Sequence, residues 1–163
     1  MGKTVEEISE MIIPEIEYEK RIKIVTEGAL CGNEYLKTHG GVLYPKLAET
    51  LGELKNNYHL SIVSNCLNGY IEAFLNYHNL NQYFDDFGCQ STGLTKAENI
   101  KLVINRNNIE KAVYVGDTKS DYIAATKAGI PFIHAAYGFG SIDANVTKVN
   151  AFCDLKERVR EII

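Results

Sequence analysis

Two aspartates, four residues apart, follow a short apolar segment in the second half of the chain. The segment Val113–Val115 is followed by Gly116 and Asp117, and Asp121 comes four positions later. A short apolar run is typical of a buried strand, and Gly116 allows a sharp turn where that strand ends. Two carboxylates at the carboxyl end of a strand would suit Mg²⁺, which prefers oxygen ligands. The alternative is that Asp121 caps the next helix and Asp117 shapes a turn.

Two other segments carry polar groups at equivalent positions. Ser64 and Asn65 follow an apolar segment, and Lys96 lies at the start of a predicted helix. Exposed N–H groups at a helix N-terminus favour an anion, whereas a lysine there opposes the helix dipole. A phosphate between Ser64 and Lys96 would account for both features. With Asp117 and Asp121 they predict a Mg²⁺–phosphate pocket. Capping by Ser64 and Asn65, with a solvated Lys96, is the alternative.

The composition limits the class of protein. The chain has 163 residues and a formal net charge of -4, and the absence of a basic stripe argues against nucleic-acid binding. None of the four cysteines is spaced as CxxC, so we predict free thiols in a reducing cytoplasm. The sequence has no apolar stretch long enough to cross a membrane, and its acidic, polar start is unlike a signal peptide. We therefore predict a cytoplasmic protein that binds neither nucleic acid nor membrane.

Helical and strand patterns alternate from residue 44 onward, which predicts βαβ units and a parallel sheet. An amphipathic helical segment from Thr4 to about His39 precedes them, with a capping box at Thr4 and Glu7 and a break at Pro14. The predicted helices lie at about 4–13, 15–29, 45–54, 67–78, 97–107, 120–128 and 155–162, and the strands at about 59–63, 87–89, 112–115, 131–135 and near 151.

Three segments, in this order, resemble the second, third and fourth motifs of haloacid dehalogenase-superfamily phosphatases. They are Ile62–Asn65, Lys96 and Gly116–Asp121. The similarity is to the subgroup that includes phosphoglycolate phosphatase, and it covers essentially the whole chain. Further similarity lies at residues 44–45, 83–85 and 136–140.

This resemblance implies an α/β fold of the haloacid dehalogenase-like, Rossmannoid type. Helices would cover both faces of a parallel sheet in three layers, with a partial helical cap at the N-terminal side. Residues 1–42 would be the remnant of that cap and residues 43–163 the α/β core.

The resemblance also implies a role for each candidate residue in the Mg²⁺-dependent hydrolysis of a small phosphate monoester. Ser64 would hydrogen-bond the transferring phosphoryl group, and Asn65 would help to bind it. Lys96 would neutralise charge on that group and on the nucleophile. Asp117 would bind Mg²⁺, and Asp121 would bind it or support the site. The partner would be a small phosphorylated metabolite, with phosphoglycolate suggested by the family alone.

The first motif of the family, Asp-x-Asp followed by Gly-Thr, has no counterpart in the chain. The start of the sequence, Met1–Ile8, resembles the middle of the family's helical cap. We therefore expect the central first strand to be missing, between the strands that end before Ser64 and Asp117. Because open strand edges are costly, we predict that the gap is filled. The candidates are a separate N-terminal peptide, a segment of a partner chain (self-association included), and direct pairing of the two flanking strands.

Without that motif the chain lacks an obvious nucleophile and proton donor, both of which covalent phosphoryl transfer requires. We therefore predict little or no phosphatase activity for this polypeptide alone. Three functional hypotheses stay open: a truncated phosphatase, a non-catalytic protein that binds phosphate or a protein partner, and one piece of a two-chain enzyme.

Overall fold

A computed structural model describes residues 2–163 of the chain, in which helices and short strands alternate. The α-helices are α1 (Val5–Ile12), α2 (Tyr18–His39), α3 (Leu47–Lys55), α4 (Tyr70–Tyr77), α5 (Lys96–Arg106), α6 (Lys119–Ala128) and α7 (Leu155–Ile162). The strands are β1 (Ser61–Val63), β2 (Asp86–Gly88), β3 (Tyr114–Gly116), β4 (Phe132–Ala135) and β5 (Thr147–Val149), and single 3₁₀ turns lie at Asn81–Tyr83, Gln90–Thr92 and Phe152–Asp154.

The strands form two parallel sheets. In the first, β1 pairs with β2, with Ile62 opposite Phe87. In the second, β4 lies between β3 and β5, with Val115 opposite Ile133. Since β1 and β3 belong to different sheets, direct pairing of these two strands, one of the three predicted ways to fill the gap, is wrong.

Helices cover both faces of the strands, because successive side chains of a strand point to opposite faces and β4 places apolar side chains on each. Strand β4 is buried along its whole length. Its consecutive residues Phe132 and Ile133 pack into separate apolar clusters, one on each face. Helices α5 and α6 meet at a cluster that includes Val63 and Tyr114, and α3 and α7 pack on the side of Ile133. The predicted three-layer α/β architecture is confirmed.

The N-terminal helices differ from the prediction in one respect. The capping box at the start of α1 is confirmed, because the Thr4 amide donates to the Glu7 carboxylate at 2.8 Å and the Glu7 amide donates back to the Thr4 hydroxyl. The predicted end of the second helix at Ala29 is wrong, since α2 continues to His39. The helix continues through Gly28 and Gly32 because a glycine inside a helix costs only about 1 kcal/mol. It stops after His39, where Gly40 is the C-cap with a φ of 61°.

Helix α2 packs against α4, and the buried Asn33 side chain donates to the Asn68 carbonyl at 3.0 Å. The division into a cap over residues 1–42 and a core over residues 43–163 stays a prediction.

The last strand is another correction, because it lies at Thr147–Val149 rather than near Ala151. Within residues 2–163, no helix combines the length and the apolar character needed to cross a membrane.

Asp86 connects the start of β2 to the end of α5. Its carboxylate accepts hydrogen bonds from the Arg106 guanidinium and from the Asn107 side-chain amide. Burial by itself would raise the pKa of Asp86, but the hydrogen bonds from Arg106 and Asn107 outweigh it, and the pKa lies below the usual aspartate value.

We expect Asp86→Asn to lower the free energy of unfolding at pH 7 by roughly 1.5–3 kcal/mol, because a charge-assisted hydrogen-bond pair is lost. A carboxyl group whose pKa is lower in the folded state stabilises the fold above its unfolded pKa, and this contribution disappears as the pH falls through its folded pKa. The measurement is urea denaturation at pH 7 and below about pH 4. The free energy of unfolding should fall less between these two conditions in Asp86→Asn than in the wild type. The exposed Asp143, changed to Asn, is the control and should leave both values nearly unchanged.

Candidate active site

The loop after β1 carries Ser64 and Asn65 to the carboxyl edge of its sheet. The Ser64 hydroxyl accepts a hydrogen bond from the Cys66 amide at 3.3 Å, so it takes part in the turn that leads toward α4. The Asn65 side-chain amide donates to the Gly2 carbonyl at 2.9 Å. Both predicted anion ligands therefore lie in one loop. The alternative that they cap the next helix is wrong, because α4 begins at Tyr70 and its N-cap is Gly69.

Lys96 is the first residue of α5, as predicted, but its side chain is not solvated. Its ammonium donates to Asp121 Oδ1 at 2.6 Å, and only 9% of the Lys96 side chain and 8% of the Asp121 side chain are exposed. The partner that stabilises a lysine at this helix N-terminus is therefore a carboxylate of the chain itself. The hypothesis of a solvated Lys96 is wrong.

Asp121 uses both of its carboxylate oxygens. While Oδ1 accepts from Lys96, Oδ2 accepts from the Thr118 amide at 3.0 Å and from the Thr118 hydroxyl at 2.7 Å. Thr118 is the N-cap of α6, so the pair forms a capping box. Burial opposes ionisation of Asp121, but the Lys96 charge and these hydrogen bonds outweigh it, and the pKa of Asp121 is lowered. Asp121 is therefore a buried anion that fixes the start of α6.

Asp117 is held at the end of β3 by the loop that follows β4. Its Oδ2 accepts a hydrogen bond from the Phe139 amide at 2.8 Å, and among residues 2–163 no donor contacts its other oxygen. A Cβ at Gly138 would lie 2.3 Å from the Asp117 Cβ, and one at Gly140 would lie 2.4 Å from the Asp117 carbonyl oxygen. Only glycine allows the loop to approach Asp117 so closely, and one oxygen is left to bind a ligand.

Hydrogen bonds join the three predicted segments at the first turn of α6. The Gly2 carbonyl accepts from the Asn65 side chain at 2.9 Å and from the Ser120 hydroxyl at 3.1 Å. The next residue, Asp121, accepts from Lys96 and from the Thr118 hydroxyl. The loop after β1, the start of α5 and the start of α6 therefore meet at one place.

Sequence reasoning missed two members of this arrangement. The part played by Ser120 could have been suspected from its position, one residue before Asp121 in the first turn of α6. The contact made by Gly2 had no signal, because a backbone carbonyl carries no residue type and the chain separation from Ser120 is 118 residues.

The carboxylates of the site fit a magnesium ion only in part. Within residues 2–163, no group of three or more His, Cys, Asp or Glu side chains is arranged to hold a metal. Mg²⁺ is commonly held by one or two carboxylates, with waters and substrate phosphate completing its shell. The unengaged oxygen of Asp117 fits that pattern as a direct ligand. Asp121, with both oxygens engaged, fits the supporting role.

Comparison with known proteins identifies the family. A sequence profile described as haloacid dehalogenase-like hydrolase matches residues 1–135 of this chain. The chain therefore belongs to the haloacid dehalogenase-like hydrolase family.

Two curated proteins are similar to part of the chain. It is 28% identical over 108 residues to a phosphoglycolate phosphatase from Photorhabdus laumondii, a match covering 63% of this chain and 46% of that protein. It is 32% identical over 103 residues to a phosphoglycolate phosphatase from Vibrio vulnificus, covering 60% of this chain and 45% of that protein. The chain thus spans a little under half the length of the curated relatives it matches.

Solved structures share the fold at lower identity. A haloacid dehalogenase-like hydrolase from Bacteroides fragilis superposes with a TM-score of 0.81 at 22% identity, covering 95% of this chain and 79% of that chain. A haloacid dehalogenase-like family protein from Streptococcus pneumoniae gives a TM-score of 0.75 at 20% identity, covering 99% and 78%. These matches establish the fold.

Proposed function

We propose that this chain carries the phosphate- and magnesium-binding side chains of a phosphate monoester hydrolase. The observation that supports this most is the buried Lys96–Asp121 ion pair in the first turn of α6, where the neighbouring Ser120 shares the Gly2 carbonyl with Asn65 of the loop after β1. A buried charge pair is expensive to keep for stability alone, and perturbed ionisable groups cluster at functional sites. The names of the curated relatives favour phosphoglycolate or a similar small metabolite as the substrate.

In this proposal each side chain has a distinct role. Ser64 and Asn65 donate hydrogen bonds to oxygens of the phosphoryl group, and Lys96 offsets its negative charge. Asp117 holds Mg²⁺ through its unengaged oxygen, and Asp121 keeps Lys96 in position. When bound, Mg²⁺ supplies a positive charge that stabilises the phosphate oxygens.

The same geometry argues against turnover by these residues alone. Covalent phosphoryl transfer requires an activated nucleophile, and among residues 2–163 the Ser64 hydroxyl has the Cys66 amide as its hydrogen-bond partner rather than a base. We therefore expect the chain to bind a phosphate ester without hydrolysing it. A second polypeptide segment would have to supply the nucleophile and the proton donor.

We expect no Mg²⁺-dependent hydrolysis of p-nitrophenyl phosphate by the chain alone. A version extended at its amino end by a strand with the family's Asp-x-Asp motif should be active, and Asp117→Ala in that version should abolish the activity. The assay compares release of p-nitrophenol by the three proteins, each verified as folded by circular dichroism. Mg²⁺-dependent turnover by the unextended chain would mean that its own residues supply the nucleophile, which would contradict this proposal.

One observation favours the alternative in which the chain binds a protein partner. The Ser120 hydroxyl and one of the two N–H donors of the Asn65 side chain are engaged by the Gly2 carbonyl, so a phosphate that used both groups would have to replace that contact. If the folded, extended version is inactive in the same assay, the binding-protein hypothesis is the better one.

A further inference from the structure

Two cysteines lie beside the loop that carries Ser64 and Asn65. Cys66 is the next residue of that loop, and Cys89 comes directly after β2. Both are free thiols in the structure, Cys66 half-buried and Cys89 buried. The proposed function gives neither thiol a role, although both are close to the side chains that would bind phosphate.

Backbone hydrogen bonds hold the two cysteines side by side. The Ser64 amide donates to the Gly88 carbonyl at 2.9 Å, and the Gln90 amide donates to the Cys66 carbonyl at 3.1 Å. Cys89 lies between these two partners in an extended conformation. In parallel pairing, the residue whose carbonyl accepts from Gln90 lies opposite Cys89. Cys66 therefore takes that place, at the spacing of about 5 Å found between neighbouring strands. A disulfide needs a Cα separation of roughly 4.4–6.8 Å.

The two side chains face the same apolar cluster. Cys89 is one of its buried members, with Ile71 and Leu75 of α4, and Cys66 packs against it. Burial raises the pKa of the Cys66 thiol, and a charge on Cys89 raises it further, because the two sulfurs lie near each other. Both thiols therefore point to the face of the sheet that α4 covers.

The present contacts of the Cys89 sulfur are weak ones. Its thiol donates to the Asn68 side-chain oxygen at 3.0 Å and shares a contact of 3.0 Å with the Ser91 hydroxyl. A thiol is a weak hydrogen-bond donor and acceptor. Little stability is therefore lost when Cys89 exchanges these contacts for a covalent bond.

We propose that Cys66 and Cys89 form a redox modification site, at which a low-molecular-weight disulfide converts the two thiols into a Cys66–Cys89 disulfide. The Cys66 thiolate attacks one sulfur of the reagent, whose S–S bond breaks and releases one thiolate. The Cys89 thiolate then attacks the Cys66 sulfur of the mixed disulfide and releases the second thiolate. The two cysteines lose two electrons and two protons, and the reagent is reduced to two thiols.

The order of the two steps follows from exposure. Cys66 is accessible to a reagent, whereas Cys89 is buried and is reached only by its neighbour. The segment from Ser64 to Cys66 is already bonded to the residues on both sides of Cys89, through the Ser64 amide and the Cys66 carbonyl. The disulfide makes this attachment covalent and fixes the loop that carries Asn65. An effect on phosphate binding rests on the proposed function, whereas the disulfide does not.

The test uses the full chain with Cys31→Ser and Cys153→Ser, so that only the proposed pair remains. The protein is equilibrated at pH 8 in mixtures of reduced and oxidised glutathione, and the products are identified by intact mass and peptide mapping. Equilibrium is measured rather than rate, because the raised pKa of Cys66 leaves little reactive thiolate. We expect an intramolecular disulfide whose equilibrium constant is at least about tenfold larger in the folded chain than in urea.

Hydrogen exchange of single amides, followed by NMR, tests whether the disulfide fixes the loop. The Ser64 and Gln90 amides should exchange about tenfold more slowly, or slower still, in the oxidised chain than in the reduced chain. The Tyr114 amide, which donates to the Pro131 carbonyl outside this sheet, is the internal control and should change little.

A matched control keeps Cys31 and Cys153 and carries Cys66→Ser and Cys89→Ser. These two residues lie in α2 and in the 3₁₀ turn before α7, and this chain should form no disulfide that folding favours. In the test chain, Cys89→Ser should stop at the mixed disulfide of Cys66, and Cys66→Ser should stay unmodified.

Four results would overturn the proposal. They are equal equilibrium constants in the folded and unfolded chains, mixed disulfides without a Cys66–Cys89 bond, a disulfide between two chains, and unchanged exchange of the Ser64 and Gln90 amides on oxidation. The decisive comparison alters neither Cys66 nor Cys89, so a folding defect at these positions does not obscure it. The readout is a covalent bond rather than activity, and its outcome is separate from that of the phosphatase assay.

Discussion

Replacing Lys96 with Met is expected to lower the free energy of unfolding by about 3–5 kcal/mol, since it leaves the Asp121 carboxylate buried and unpaired. The two groups lie 2.6 Å apart, and both side chains are more than nine-tenths buried. The measurement is urea denaturation at pH 7. Lys101→Met is the matched control, because Lys101 is an exposed residue of the same helix, and it should change stability by less than about 0.5 kcal/mol.

Two further measurements separate the loss of the ion pair from a general packing defect. The double variant Lys96→Met/Asp121→Asn should be more stable than Lys96→Met alone, because no buried charge is left unpaired. The wild-type pKa of Asp121 is lowered, so its ionised form stabilises the fold above the unfolded pKa and this contribution disappears as the pH falls through the folded pKa. The gap between wild type and Lys96→Met should therefore narrow below about pH 4. A loss under 1 kcal/mol at pH 7 would contradict the buried pair.

Gly116→Ala is expected to destabilise the fold by about 1–3 kcal/mol or more, because the added methyl overpacks the site. A Cβ at Gly116 would lie 2.4 Å from the Asp121 Cβ and 2.7 Å from its Cγ. Asp121 would have to move, and with it the contact to Lys96. Thermal and urea denaturation measure the loss.

Gly28→Ala is the matched control for that substitution. Gly28 lies inside α2, and a Cβ there has no atom within 4 Å. Alanine should stabilise this position by roughly 0.5–1 kcal/mol, because glycine is a poor helix former. If both glycine variants had the same small effect, the close approach of Gly116 to Asp121 would be contradicted.

The fold was largely predictable from the sequence, because the spacing of apolar residues distinguishes helices from strands over a few residues. Strands β1, β3 and β4 and helices α5, α6 and α7 lie within a few residues of their predicted positions. The helical pattern up to about His39 matches the end of α2. The earlier end predicted at Ala29 was wrong, since the glycines at 28 and 32 are compatible with a helix interior when tertiary contacts hold the helix. Here the contact of Asn33 with Asn68 is one such interaction.

The candidate site was predictable in its residue types and only in part in its contacts. The positions of Lys96 and Asp117 follow from the rule that ligands gather at the carboxyl ends of parallel strands. The partner of Lys96 was missed. A lysine at this position could pair with a phosphate or with a buried carboxylate, and the sequence does not distinguish between the two. Distances between side chains from different loops depend on packing, which no local pattern encodes.

The most direct test of the proposed site is binding of inorganic phosphate, measured by titration calorimetry with and without Mg²⁺. We predict that phosphate binds in the presence of Mg²⁺, that removing Mg²⁺ weakens binding, and that Asp117→Asn removes the Mg²⁺ dependence. The control Asp143→Asn, at an exposed aspartate outside the site, should leave binding unchanged. Phosphate binding that is unaffected by Asp117→Asn, or no binding by the folded chain, would contradict the proposed site.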